Sequence, residues 1–140
     1  MSANEQVVHI AFPVFASYFE SGRLEYRTLV KWALDKLLEK PLILCRNTPS
    51  FVKVFLTTQP GKTMIHVLSS FPEKRTTAVE VIEDRVEISG MEIRVRLDSL
   101  KPKKIYIAPE RKAVDFSLDN GYLCAVLPAF KGYTLAVIEG

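Results

Sequence analysis

"FVKVFLTTQPGKTMIHVLSSF", Phe51 to Phe71, places two apolar, β-branched runs on either side of a Pro60-Gly61 pair. Runs of this composition around a two-residue turn read as a β-hairpin. With Pro60 and Gly61 as the turn, Thr58 pairs with Thr63, Leu56 with Ile65 and Val54 with Val67. Strand side chains alternate between faces, so these residues make one strongly apolar face that belongs in a core. The other face pairs Thr57 with Met64, Phe55 with His66 and Lys53 with Leu68, which sets His66 opposite an aromatic ring. A slip of one residue would exchange the faces, so the turn length decides the placement. A mixed face of this kind is expected to meet another element, here the N-terminal helix or a neighbouring domain.

The hairpin sits within a longer β-rich region. "LILC", "FVKVFLTT", "KTMIHVLSSF", "AVEVI", "RVEI", "EIRVRL", "KIYIA", "AVDFSL", "YLCAVL" and "YTLAVI" are short runs separated by turn residues. Many short strands with no helical pattern among them predict an antiparallel sandwich or barrel. Pro60-Gly61, Ser89-Gly90, Asn120-Gly121 and Lys131-Gly132 are turn pairs, and Asn-Gly is the strongest hairpin signal of the four. In "EIRVRL" the alternation turns Ile93, Val95 and Leu97 inward and Glu92, Arg94 and Arg96 to water.

The first forty residues read differently. "VVHIAF", Val7 to Phe12, predicts a short strand ended by Pro13. Apolar residues at Tyr26, Leu29, Val30, Ala33, Leu34, Leu37 and Leu38 have the spacing of one helical face, which predicts a single amphipathic helix. Pro41 disfavours helical geometry at Lys40, so the helix should end there, with Lys36 and Lys40 at the negative end of its dipole. Trp32 falls beside the apolar face and is expected to pack. The expected architecture is mainly β: an antiparallel sandwich over residues 41–140, preceded by a short strand and one amphipathic helix in residues 1–40.

Composition narrows the function classes. A chain of 140 residues with 48% hydrophobic residues can build a real core. The net charge of +3 is too small and its basic clusters, Pro72 to Arg75 and Lys101 to Lys104, too short for a nucleic-acid-binding stripe. Cys45 and Cys124 show neither metal spacing nor the density of a disulfide framework, which favours a reduced, cytoplasmic protein. "MSANEQ" has no basic region, and "VVHIAFPVFA" is too short to span a bilayer, so neither a signal peptide nor a membrane partner is expected.

No catalytic constellation assembles from the residue order. As a base His66 would need a nucleophile and an orienting group, and as a metal ligand it would need further donors. The other histidine, His9, lies in an apolar run far away, so packing or hydrogen bonding is the expected role. Glu80, Glu83, Asp84 and Glu87 contain carboxylates that a glycosidase could use, yet "VEVIEDRVEI" reads as two half-exposed strands around a Glu83-Asp84-Arg85 turn. No G-x-S-x-G, P-loop or G-x-G-x-x-G occurs. Phe12, Phe15, Tyr18, Phe19, Tyr106, Tyr122 and Tyr133 could line a sugar-binding face, although core packing is the default for such positions. No catalytic, cofactor or metal residue is therefore expected.

The succession "FPVFASYFESGRLEYRTLVKWALDKLL", "TPSFVKVFLTTQPGKTMIHVLSSFPEKR", "IYIAPE" and "GYLCAVLPAFKGYTLAVIE" resembles the C-terminal region of bacterial glycoside-hydrolase-like proteins related to the β-galactosidases. Gln59, Gly61, His66, Val67, Leu68, Pro72, Glu73 and Arg75 match that pattern, and Ser69 and Ser70 depart from its Asn and aromatic. In that family a TIM barrel carries catalysis, a flavodoxin-like (amidotransferase-like) trimerisation domain follows, and a small β-sandwich closes the chain. The resemblance implies that residues 1–40 are a remnant of the middle domain and that residues 41–140 are the closing sandwich. It also implies a non-catalytic accessory or assembly role, with self-association or a glycosidase-like polypeptide as partner. The interface candidates are then Phe12, Phe15, Tyr18, Trp32, Phe55 and His66. A stand-alone carbohydrate-binding sandwich is the alternative expectation.

Overall fold

The computed structural model describes residues 7–98 and 101–140. The chain forms two compact units, one up to Pro41 and one from Leu42 to Gly140.

The N-terminal unit holds two helices, α1 (Val14–Ser21) and α2 (Leu24–Leu37), where the periodicity predicted one. Gly22 makes the break. Its φ of 64° is left-handed, and its N–H donates to the Tyr18 carbonyl at 2.8 Å, closing α1 with a conformation that costs glycine little. Arg23 is then extended and α2 begins, with Glu25 in its first turn and Lys36 in its last, as the macrodipole favours. α2 ends at Leu37 rather than Lys40, because Leu38 has already left helical geometry. Pro41 sets only an outer limit on the helix. Val7 to Phe12 is not a strand. No described strand pairs with it, and an apolar run without a ladder to join has no sheet geometry to adopt. Phe12 instead sets its ring against Tyr26, with centroids 5.8 Å apart.

The C-terminal unit is an antiparallel sandwich. In chain order its strands are β1 (Ile43–Arg46), β2 (Val52–Gln59), β3 (Lys62–Ser69), β4 (Glu73–Lys74), β5 (Glu80–Val81), β6 (Glu87–Ile88) and β7 (Glu92–Arg96). They continue as β8 (Lys104–Ala108), β9 (Lys112–Val114), β10 (Phe116–Asp119), β11 (Tyr122–Val126), β12 (Phe130–Lys131) and β13 (Tyr133–Glu139). One sheet has the order β1-β7-β11-β10 and the other β2-β3-β13-β8-β9, with two small ribbons, β12-β6 and β4-β5.

The β2–β3 register is the one the Pro60-Gly61 turn predicts, pairing Val54 with Val67, Phe55 with His66 and Leu56 with Ile65. Ile65 and Val67 are fully buried and join Ile93, Val95, Leu123, Ala136 and Ile138 in the core between the sheets. Asn120-Gly121 turns β10 into β11 with φ of 48° and 81°, the two positive values that a type I′ hairpin requires.

Two readings of the region change. "AVDFSL" is not one strand, because Asp115 separates β9, which pairs with β8, from β10, which pairs with β11, and the chain changes sheets there. The acidic stretch is not a hairpin around Glu83-Asp84-Arg85 either. β5 pairs with β4 and β6 with β12, so each half finds a different partner elsewhere in the chain. Ser89-Gly90 accordingly leads from a ribbon into a sheet rather than closing a hairpin.

Candidate functional site

Alternation along β2, β3 and β13 brings one set of residues to the outer face of the five-stranded sheet. One row across the strands is Phe55, His66, Leu135 and Ala108, and the next is Thr57, Met64, Val137 and Tyr106. His66 is half-buried at the centre, and both of its ring nitrogens are engaged. Nε2 lies 2.9 Å from the Thr57 hydroxyl and Nδ1 lies 2.8 Å from the Tyr133 hydroxyl. A phenol is a better donor than an aliphatic alcohol, so in the neutral ring Tyr133 donates to Nδ1 and Nε2–H donates to Thr57. The three side chains form a hydrogen-bonded bridge across three strands. A hydroxyl beside an imidazole is half of a nucleophile pair, but among the described residues both ring nitrogens meet hydroxyls rather than a carboxylate, and the face is open, with Phe55 54% and Tyr133 51% exposed. The arrangement fixes the three side chains relative to one another across the sheet.

The expected interface residues divide between the two units. Phe55 and His66 stand side by side, and Leu68 and Tyr133 extend the same apolar face. Phe12, Phe15, Tyr18 and Trp32 belong to the helical unit, where all four are exposed and, among the described residues, only Val14 and Ala33 are buried. Thr57 and Tyr133 were missing from the expected site. The signal that could have found Tyr133 is its place in an alternating strand, but its pairing with β3 spans more than sixty residues and leaves no local trace.

A second cluster lies at the end of the same sheet. Glu139 is held between Lys62 at 2.9 Å and Lys104 at 2.7 Å and accepts a hydrogen bond from the Tyr106 hydroxyl at 2.9 Å. Those hydrogen bonds, Lys104 first, hold its carboxyl at a pKa of about 2, well below the ordinary carboxylate value. The cluster ties β13 to β3 and β8 and is structural. Cys45 packs against the core, and burial raises its thiol pKa. Among the described residues no three His, Cys, Asp or Glu side chains converge as a metal centre, and no helix is long and apolar enough to cross a membrane.

Among solved structures the chain is similar to the α-L-fucosidase isoenzyme 2 from Paenibacillus thiaminolyticus, at 28% identity and a TM-score of 0.87. The match covers 93% of this chain and 20% of the fucosidase, so this chain spans about a fifth of that enzyme's length. A cycloisomaltooligosaccharide glucanotransferase from Paenibacillus sp. also matches, at 12% identity and a TM-score of 0.42 over 82% of this chain and 21% of that one, too low to support an argument. No family model matches the chain, and no curated protein does. The fucosidase likeness relates the chain to a small domain of a glycoside hydrolase.

Proposed function

We propose that the chain is a non-catalytic C-terminal accessory portion of a glycoside-hydrolase-like protein of the β-galactosidase-related kind, acting in packing and assembly. The observation that carries this reading is coverage: nearly the whole chain matches one fifth of a glycosidase. The exposed apolar side chains support it. Phe55, Leu68 and Tyr133 on the sheet, and Phe15, Phe19 and Leu24 in the helical unit, are large apolar side chains left exposed, as they are on surfaces that meet a partner. On this reading residues 1–40 are the last piece of a flavodoxin-like domain.

Two measurements test the proposal. Purified chain should leave aryl α-L-fucosides and aryl β-D-galactosides intact, and turnover abolished by His66→Ala would overturn the non-catalytic reading. Sedimentation velocity should show concentration-dependent self-association that weakens when Phe55 and Tyr133 are both replaced by Asp. A strict monomer that unfolds in one cooperative transition at high temperature would overturn the idea that these faces await cover.

A further inference from the structure

The outer face of the four-stranded sheet carries a feature that the accessory reading does not use. A groove of about 830 Å³ lies along β7, β11 and β10 beside the Asp115 corner. Its polar walls are Arg46, Glu92, Arg94, Asp115, Ser117 and Asp119, and exposed Val126 supplies an apolar patch. A volume of about 300 to 1,000 Å³ is the size range of small-molecule clefts, although the lining here is more charged than in most of them.

Arg94 organises the groove. Its Nη2 donates to Asp119 Oδ2 at 2.6 Å, its guanidinium lies 5.4 Å from the centroid of the Tyr122 ring, and Tyr122 is buried beneath it. Asp119 Oδ1 accepts from Asn120 Nδ2 at 2.9 Å, and Glu92 Oε1 accepts from Asn47 Nδ2 at 3.4 Å, so each carboxylate also meets a side-chain amide. Arg94 Nε, in contrast, is shielded from solvent and has no hydrogen-bond partner among the described residues. An unmet donor next to a cleft is costly, and it is where an incoming acceptor gains most after a small rotation of the guanidinium.

Charge selects the ligand class. Two guanidiniums and three carboxylates nearly cancel, so an anion would meet Asp115, Asp119 and Glu92, and a cation would meet Arg46 and Arg94. A neutral ligand whose groups both donate and accept can satisfy both sets, which is the property of an alcohol hydroxyl. The rigid guanidinium fork and the planar carboxylates suit adjacent hydroxyls on one ring, while Val126 suits the C–H face of that ring. We infer that this groove binds a neutral saccharide through Arg94, Asp119 and Glu92. The groove is open and, among the described residues, offers no exposed aromatic platform, so weak binding, on the order of millimolar, is the expectation. The inference is independent of the packing role, which concerns the other sheet and the helical unit.

The test is an amide NMR titration of the ¹⁵N-labelled full chain with L-fucose, D-galactose, D-glucose and lactose, with sodium acetate and tetramethylammonium chloride as charged controls. The expected result is saturable shifts in β7, β10 and β11 and in the Arg94 Nε–Hε signal for at least one sugar, with none for the charged probes. Binding should weaken at least tenfold in Arg94→Met. Should that variant not fold, Ser117→Trp, at an exposed edge position, blocks the groove and should abolish the shifts. Silence with every sugar, shifts unaffected by both variants, or a response to acetate alone would each overturn the inference. Sugar hydrolysis and self-association are unaffected by that outcome, so failure here leaves the accessory reading to its own tests.

Discussion

Opposite faces of one hairpin should respond to truncation in the reverse order of side-chain size. Ile65 has no solvent exposure, whereas Phe55, in the adjacent row of the same ladder, is 54% exposed. Ile65→Ala removes about three carbons from a packed site. At about 0.8 kcal/mol each plus a cavity contribution, the loss is about 3 kcal/mol, within the usual range for such truncations. Phe55→Ala deletes a larger side chain, but much of it already lies in water, and the loss is about 1 kcal/mol. With a urea slope of about 2 kcal/mol/M, the midpoints fall by about 1.5 M and about 0.5 M respectively. The assay is urea unfolding of the full chain followed by the β signal in circular dichroism, because Trp32 fluorescence reports on the helical unit. A Phe55→Ala loss equal to or larger than that of Ile65→Ala, at a protein concentration where the chain is monomeric, would refute the assignment of faces. The same result only at high concentration would instead show that the outer face is buried between copies.

Glu139 sets a pH signature. Its carboxyl pKa is depressed to about 2 in the folded chain, so its contribution to stability is fully present above the ordinary carboxylate value and is lost as pH falls from there towards 2. Glu139→Gln should therefore lower stability at neutral pH and flatten the acid limb of a thermal melting profile between about pH 4.5 and pH 2. An unchanged acid limb would mean that Lys62 and Lys104 do not hold this carboxylate in solution. The His66 bridge makes a smaller claim: Tyr133→Phe should cost about 0.5–1 kcal/mol in urea unfolding, and a double-mutant cycle with His66→Ala should show a coupling of similar size. Coupling near zero would mean that the 2.8 Å contact contributes nothing measurable.

Where local pattern and local geometry coincide, the chain could be read directly. The Pro60-Gly61 turn and the alternation of Leu56, Ile65 and Val67 led to the observed register, because a two-residue turn leaves only one pairing that buries all three. Asn120-Gly121 was as legible, since few residue pairs accept two positive φ values. The break at Gly22 between α1 and α2 was not foreseen, because the apolar period from Tyr26 to Leu38 marks one helical face and does not show where a preceding helix ends. The His66 bridge was half legible. The hairpin register sets Phe55 opposite His66, but the hydrogen-bond partner on β2 is Thr57, one row away, and Tyr133 arrives from the other end of the domain.

The amino-acid sequence by itself determined that this is a mainly β chain with a helical N-terminal part, and it determined which residues of the Phe51 to Phe71 hairpin face inward. Those properties follow from side-chain period and turn chemistry, which act over a few residues. Only the tertiary structure decided that β13 lies between β3 and β8, that Asp115 passes the chain from one sheet to the other, and that Val7 to Phe12 forms no strand. It also decided that Arg94 meets Asp119 and that Glu139 meets Lys62 and Lys104. The physical reason is that strand identity is local, whereas strand partnership depends on which edges and apolar faces find cover across long loops. The candidate sites of this protein are built from such partnerships, so its elements were far easier to foresee than its chemistry.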